Sequence, residues 1–147
     1  MIAVDTNVLV HAQRPGRPEH APALAWLQHL ATGPIPWGLP VFCLGEFLRV
    51  VTHPRLFDPP TPVADALAAL EGLLASPSVR VLLPGPGFPR LLAECVQRGD
   101  ARGNLVFDAQ IAALCLEHGA TDLLTCDRDF ARFPGLRLRT LDEPPLR

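Results

Sequence analysis

The sequence predicts an α/β fold: a mostly parallel sheet covered by helices. Three observations carry this. Short apolar runs alternate with amphipathic helical stretches along the whole chain, the pattern that βαβ units leave in a sequence. The first run, Ile2 to Val4, has no polar face, as expected of a strand buried on both sides. Two of the runs end in acids, Asp5 and Asp127, which places carboxylates at the carboxyl edge of the sheet, where open α/β sheets bind their ligands.

The totals agree with one self-sufficient domain over residues 1–147, the last six or so forming a short tail. The chain is 48% hydrophobic, and a globule of 147 residues buries roughly 70% of its unfolded surface. Its 17 prolines fall between the apolar segments and punctuate loops. Cys43, Cys95, Cys115 and Cys126 form no CxxC pair and lie in apolar contexts, so buried thiols in a reducing compartment are expected rather than disulfides or a zinc site. No run of eighteen uncharged apolar residues occurs, and the N-terminus meets an acid without a basic region. Neither a membrane span nor a signal peptide is expected, and the location expected is the cytoplasm. The net charge is −2, and every basic residue is arginine. Arginine forks suit phosphates, but genomic base bias gives the same composition, and a mildly acidic chain does not advertise nucleic-acid binding.

Element by element, Asp5 or Thr6 is placed to cap a helix starting near Asn7. Glu19 to Thr32 spaces Ala23, Trp26, Leu27 and Leu30 as one face of a helix, with His20 and His29 as surface or cap residues. A second strand is expected around Ile35 to Gly38, then a mostly apolar helix from Pro40 to His53. That helix carries Glu46, three residues before Arg49, which permits an exposed ion pair. It also has Gly45, which leaves room for the close approach of another group. An acid among Cys43, Phe47 and Val50 needs a partner, because a buried unpaired carboxylate protonates or costs several kcal/mol. Further helices are expected over Thr61 to Ala75 and Phe88 to Arg98, separated by a strand over Ser78 to Leu83. The stretch from Asn104, a natural N-cap, to Gly119, a natural stop, is a largely buried helix with Asp108 in its first turns. A strand from Leu123 to Cys126 leads to Asp127 and Asp129, either of which can cap the next turn. The chain closes on an edge strand over Leu136 to Leu141, with Arg137 and Arg139 outward, and a fraying tail.

Four acids thus stand at strand ends or on apolar helices: Asp5, Glu46, Asp108 and Asp127. If they converge, two carboxylates about 4 Å apart repel by about 4 kcal/mol at an effective dielectric near 20, which calls for protons or cations. Oxygen ligands without His or Cys favour Mg²⁺ or Mn²⁺ over zinc. A pair of such ions orients and deprotonates a water, clamps a phosphodiester and steadies the leaving oxygen; it also makes the local field positive where an anion would dock. Thr125 and Asn7 are placed to hydrogen-bond a carboxylate or a metal-bound water from either side.

With MIAVDTNVLVHA at the start, Glu46 on its mid-chain helix, NLVFDAQIAALCLEHG and LLTCDRDFARFPGL, the chain resembles the PIN-domain ribonucleases over nearly its full length, most closely the VapC-type toxins of bacterial toxin–antitoxin pairs. The resemblance implies a three-layer α/β/α sandwich, Mg²⁺- or Mn²⁺-dependent endonucleolytic cleavage of RNA, a homodimer, and inhibition by a small cognate antitoxin. It implies metal-binding roles for Asp5, Asp108 and Asp127, with Glu46 matched by position in its helix, Asp129 as a less constant acid and Thr125 as the polar helper. Arg14, Arg17 and Arg128, on loops near the acid-bearing edge, are candidates for gripping RNA phosphates; solvated loop arginine is the plain alternative. Two other readings stand beside the ribonuclease: a non-catalytic module whose acidic pocket receives an arginine-bearing peptide, and a phosphatase with Asp5 as nucleophile. The second is disfavoured, because the residues after Asp5 supply neither a second nearby acid nor a phosphate-cradling glycine loop.

Overall fold

In a computed structural model of the protein, which describes residues 1–145, five short strands form one parallel sheet in the order β3-β2-β1-β4-β5. The strands are β1 (Ile2–Val4), β2 (Trp37–Pro40), β3 (Val79–Leu82), β4 (Asp122–Leu124) and β5 (Arg137–Arg139). Six helices connect them: α1 (Thr6–Gln13), α2 (His20–Thr32), α3 (Val41–Val51), α4 (Val63–Leu74), α5 (Phe88–Arg98) and α6 (Leu105–Glu117), with a short 3₁₀ turn at Arg128–Arg132. The order explains where a ligand can go. From β1 the chain steps outward through β2 to β3, then returns to lay β4 on the other side of β1. The β1/β4 boundary is therefore the switch point at which an open α/β sheet forms its crevice.

The central strands are buried on both faces: Ile2, Ala3, Val4, Leu123 and Leu124 are all in the core, and Ala3 lies in register with Gly38 on one side and Leu123 on the other. Gly38 leaves room for the neighbouring strand's side chain: a Cβ at that position would come within 2.9 Å of Leu82 Cδ1 and force the buried leucine to shift. Helices α2, α3 and α6 close the faces with Trp26, Leu27, Phe47, Ile111, Ala112 and Leu114.

Several boundaries differ from the expected ones. Strand β2 runs from Trp37 to Pro40, two residues later than expected: its ladder with β3 pairs Trp37 with Val79 and Pro40 with Leu82, while Pro34 and Pro36 lack the N–H a ladder needs. Strand β4 stops at Leu124: the Thr125 N–H makes the last ladder bond, to the Arg139 carbonyl, and the next two N–H groups, of Cys126 and Asp127, go to the side chains of Asn7 and Thr125. Asn104 precedes α6 but is itself helical and makes no side-chain cap bond. Gly45 faces open space and hosts no close approach. Of the four thiols, Cys126 is exposed, not buried, because it sits in that turned-out loop. Arg139 is only 24% exposed and points to Asp122 and Glu143, whereas Arg137 does face outward. The tail does not fray from residue 142: Glu143 accepts from Arg139 Nη1 at 2.8 Å and from the Thr140 N–H at 3.1 Å, and its carbonyl accepts from Trp26 Nε1 at 3.0 Å. Residues 146–147 lie outside the described residues. Among the described residues no helix is long and apolar enough to cross a membrane.

Candidate active site

At the carboxyl end of β1 the chain turns directly into α1, and Asp5 is the residue at the turn. Its Oδ1 accepts from the Thr6 N–H at 2.7 Å, capping α1. Capping and site formation are therefore not alternatives. The second oxygen, Oδ2, accepts from Asn7 Nδ2 at 2.6 Å and from the Thr125 hydroxyl at 2.7 Å. Thr125 is the joint of the site. Besides donating to Asp5, its Oγ1 accepts from Asn7 Nδ2 at 3.1 Å and from the Asp127 N–H at 3.0 Å. Asn7 reaches across as well, its Oδ1 accepting from the Cys126 N–H at 3.1 Å. The ends of β1 and β4 are thus bolted together by side chains, and the Asp127 backbone is aimed by the same hydroxyl that holds Asp5. Asp127 in turn caps the 3₁₀ turn, accepting from the Asp129 N–H at 2.8 Å.

Removing that hydroxyl separates these roles. Thr125→Val keeps the shape but leaves Asp5 without one donor and the Asp127 N–H without its acceptor, a net cost of about 1–3 kcal/mol. Any reaction carried out at this site should fall at least tenfold in this variant while the fold is retained, read as rate alongside the urea midpoint. An unchanged rate would remove Thr125 from the site.

A cavity of about 810 Å³ opens beside this joint, lined by Glu46 and Arg49 from α3, Asn104, Leu105, Phe107, Asp108 and Gln110 from the start of α6, and Asp127 and Asp129 from the loop after β4. Three of the four principal acids, and Asp129, therefore meet around one space. Asp5 does not line the cavity; it is 4% exposed, held by Thr125, and close enough to Glu46 and Asp108 to feel their charges. The acids feel one another. Burial, the largest cause, pushes the Asp5 carboxyl up to about 7 against the hydrogen bonds from Thr125 and Thr6, and the charges of Glu46 and Asp108 push the same way. Asp108 is raised to about 6 by burial, then by Asp127, Glu46 and Asp129, with Arg132 opposing. Glu46 makes no ion pair with Arg49 within 4 Å among the described residues.

The donor set is hard oxygen throughout, which suits Mg²⁺ or Mn²⁺. Among the described residues no three acidic, His or Cys side chains are grouped closely enough to form a ready-made metal cage. That spacing still fits Mg²⁺, which commonly takes one or two carboxylates and keeps several waters.

The arginines divide. Arg14 caps the end of α1, stacks 4.4 Å over the Phe57 ring and donates to Thr61 Oγ1 at 3.3 Å, so its guanidinium ties α1 to the loop before α4 and does not line the acid cavity. Arg17 is exposed and lines neither this cavity nor the one beside it. Arg128 lines a neighbouring cavity of about 320 Å³ that shares Asp127 with the first. Sequence reasoning missed Phe107 and took Arg49 only as a partner for Glu46; the available signal was a phenyl ring next to Asp108.

The class that this sheet order and its acid-lined carboxyl edge define is a PIN domain, and the PIN domain family model matches residues 2–136. Ribonuclease VapC43 of Mycobacterium tuberculosis is 44% identical over 139 residues, covering 95% of this chain and 94% of that protein. The chain belongs to the PIN-domain family, among the VapC-type proteins. Solved structures agree in fold: VapBC2 from Rickettsia felis, bound to a DNA fragment from their promoter, superposes with a TM-score of 0.66 at 21% identity over 95% of this chain and 98% of that one. Mycobacterium tuberculosis VapC20, a sarcin-ricin loop cleaving toxin, gives 0.65 at 24% identity over 93% and 99%.

Proposed function

We propose that this protein is a divalent-cation-dependent endoribonuclease that serves as the toxin of a toxin–antitoxin pair. The observation that carries the proposal is the meeting of Glu46, Asp108 and Asp127 around one cavity at the sheet's switch point, with the buried Asp5 electrostatically coupled to Glu46 and Asp108. The kinship with VapC43, a ribonuclease by name, supports the substrate class.

In this reading Asp5, Glu46, Asp108 and Asp127 share the holding of Mg²⁺ or Mn²⁺, an ion taking one or two of these carboxylates directly and the others through water, with Asp129 as an accessory acid at the rim. When bound, the cation lowers the pKa of water and offsets the charge of the phosphate. The chain's own residues do the rest. Thr125 and Asn7 fix the Asp5 carboxylate through its Oδ2, so this acid needs no reorganisation when the substrate arrives. Asp127 is held in place through its backbone. Water attacks the phosphorus, the bridging P–O bond breaks, and the departing oxygen takes up a proton. Arg128, at the cavity that shares Asp127, is placed to take a neighbouring phosphate of the RNA strand.

A small cognate antitoxin completes the proposal. The apolar cleft between α1, α2, α3 and α4, with Leu24, Leu27, Phe47, Ala69 and Leu73 in its wall, suits an amphipathic partner segment. A homodimer acting in the cytoplasm belongs to the same reading. The test is cleavage of single-stranded RNA by the purified protein in Mg²⁺ or Mn²⁺ against excess chelator. Cation-dependent cutting supports the enzyme; binding of an arginine-bearing peptide with no cutting under any cation would replace it with a non-catalytic module.

A further inference from the structure

The wall of the acid cavity also carries two residues that the cleavage chemistry does not use. Phe107, the residue before Asp108 in α6, leaves 60% of its surface exposed. Its neighbour in the wall, Phe42, is partnered by Phe88 with ring centroids 6.0 Å apart, whereas among the described residues no ring pairs with Phe107. Arg49, one turn beyond Glu46 on α3, lines the same cavity, is exposed, and among the described residues has no carboxylate within 4 Å. An unpaired guanidinium and a bare phenyl ring therefore border one space that is otherwise acidic.

We infer that Phe107 and Arg49 form a nucleotide subsite beside the reacting phosphate, in which the Phe107 ring stacks on an unpaired RNA base and the Arg49 guanidinium takes an adjoining phosphate. The inference rests on the ribonuclease reading and narrows its substrate to RNA that is single-stranded at the cut, because a base can lie on a side-chain ring only when it has left its own helix. The cavity, at about 810 Å³, lies within the range that holds a small organic ligand such as one nucleotide. Four acids and one arginine leave the wall net negative, so a phosphate would enter once cations neutralise the acids; Arg49 would then offer it an unpaired guanidinium, and the neutral base would lie on the ring. The stacking is indifferent to base identity, since every base has a π-face.

The test uses a short labelled oligoribonucleotide of mixed sequence, as a single strand, as a perfect duplex, and as a single strand carrying abasic sites. Phe107→Ala should weaken binding of the single strand roughly tenfold, with KM rising more than kcat falls, and should leave the abasic strand bound as by the wild type. Phe107→Trp should retain affinity, and its indole fluorescence should be quenched as the strand is added; the native Trp26 and Trp37 are 1% and 0% exposed, so that change reports on position 107. Arg49→Gln should reduce the slope of log affinity against log salt by about one. If the wild type cuts RNA while Phe107→Ala binds it unchanged, or loses the abasic strand equally, the subsite is wrong and the ribonuclease stands. A change in oligomeric mass or in capture of the antitoxin, with RNA affinity intact, would mark Phe107 as a protein contact and overturn the inference. A wild type that neither binds nor cuts any of the three RNAs would sink both.

Discussion

Asp108→Asn should slow RNA cleavage by roughly 10²–10³ while making the protein more stable. The two effects have one cause. Asp108 is half-buried in the first turn of α6, among Asp127, Glu46 and Asp129, and its carboxyl is raised to about 6 by burial and by those charges. An amide of the same shape removes a charge that its surroundings disfavour, so unfolding should require a few degrees more heat. In the proposed reading it also removes a cation ligand, and losing one charge-stabilising group from a hydrolytic site costs roughly 10²–10³ in rate. Function and stability pull apart in this way where a site is assembled against its own repulsion. Loss of activity with loss of stability would instead describe an acid that serves the fold. Cation-dependent cutting at an undiminished rate would show that the nuclease activity comes from elsewhere.

The pH dependence of the cation-free protein should run opposite to that of most folded chains. Asp5 is raised from the usual carboxylate range to about 7 and Asp108 to about 6. Between about pH 4 and pH 7 the native state therefore holds protons that the unfolded chain has released. With more protons on the native state, stability falls as pH rises through that window. For Asp5, buried to 4% exposure, the loss is on the order of 4 kcal/mol at neutral pH, or roughly 10 °C in melting temperature. Asp122, whose carboxyl is lowered by Arg137, acts in the opposite sense but below that window. Bound Mg²⁺ or Mn²⁺ favours the ionised acids, so adding either should cancel the fall at pH 7 to 8. Melting curves in chelator from pH 5 to pH 8, repeated with cation, measure both. A melting temperature that rises with pH in chelator, or a cation that stabilises no more at pH 8 than at pH 5, contradicts the expectation.

Ile2 to Val4 was readable as a doubly buried strand because it lacks any polar face, and Asp5 at its end was readable as an edge residue for the same reason. What no local pattern contains is the sheet order. Only because β4 lies beside β1, and not beyond β3, do Asp5 and Asp127 stand across one crevice. Glu46 was noticed as an acid on an apolar helix, yet its partner was open between Arg49 and distant acids; the side chains chose neither an ion pair nor solvent but the shared cavity. The shift of β2 follows from pairing with β3, and the exposure of Cys126 from a loop turned outward to serve Asn7 and Thr125. The sequence puts Arg14 on a loop near the acid-bearing strand ends, but the eight residues of α1 separate it from Asp5, and the ring of Phe57 claims its guanidinium.

The most direct measurement is the binding of Mn²⁺ to the purified protein, followed by calorimetry and by the paramagnetic signal of the free ion. Wild type should bind the ion and release protons on doing so near pH 6.5, because Asp5 and Asp108 give theirs up. Asp108→Asn and Asp127→Asn should each weaken binding by tenfold or more. Saturation that is indifferent to both substitutions, or no binding at millimolar ion, would mean that the four acids do not act as one cation-holding site.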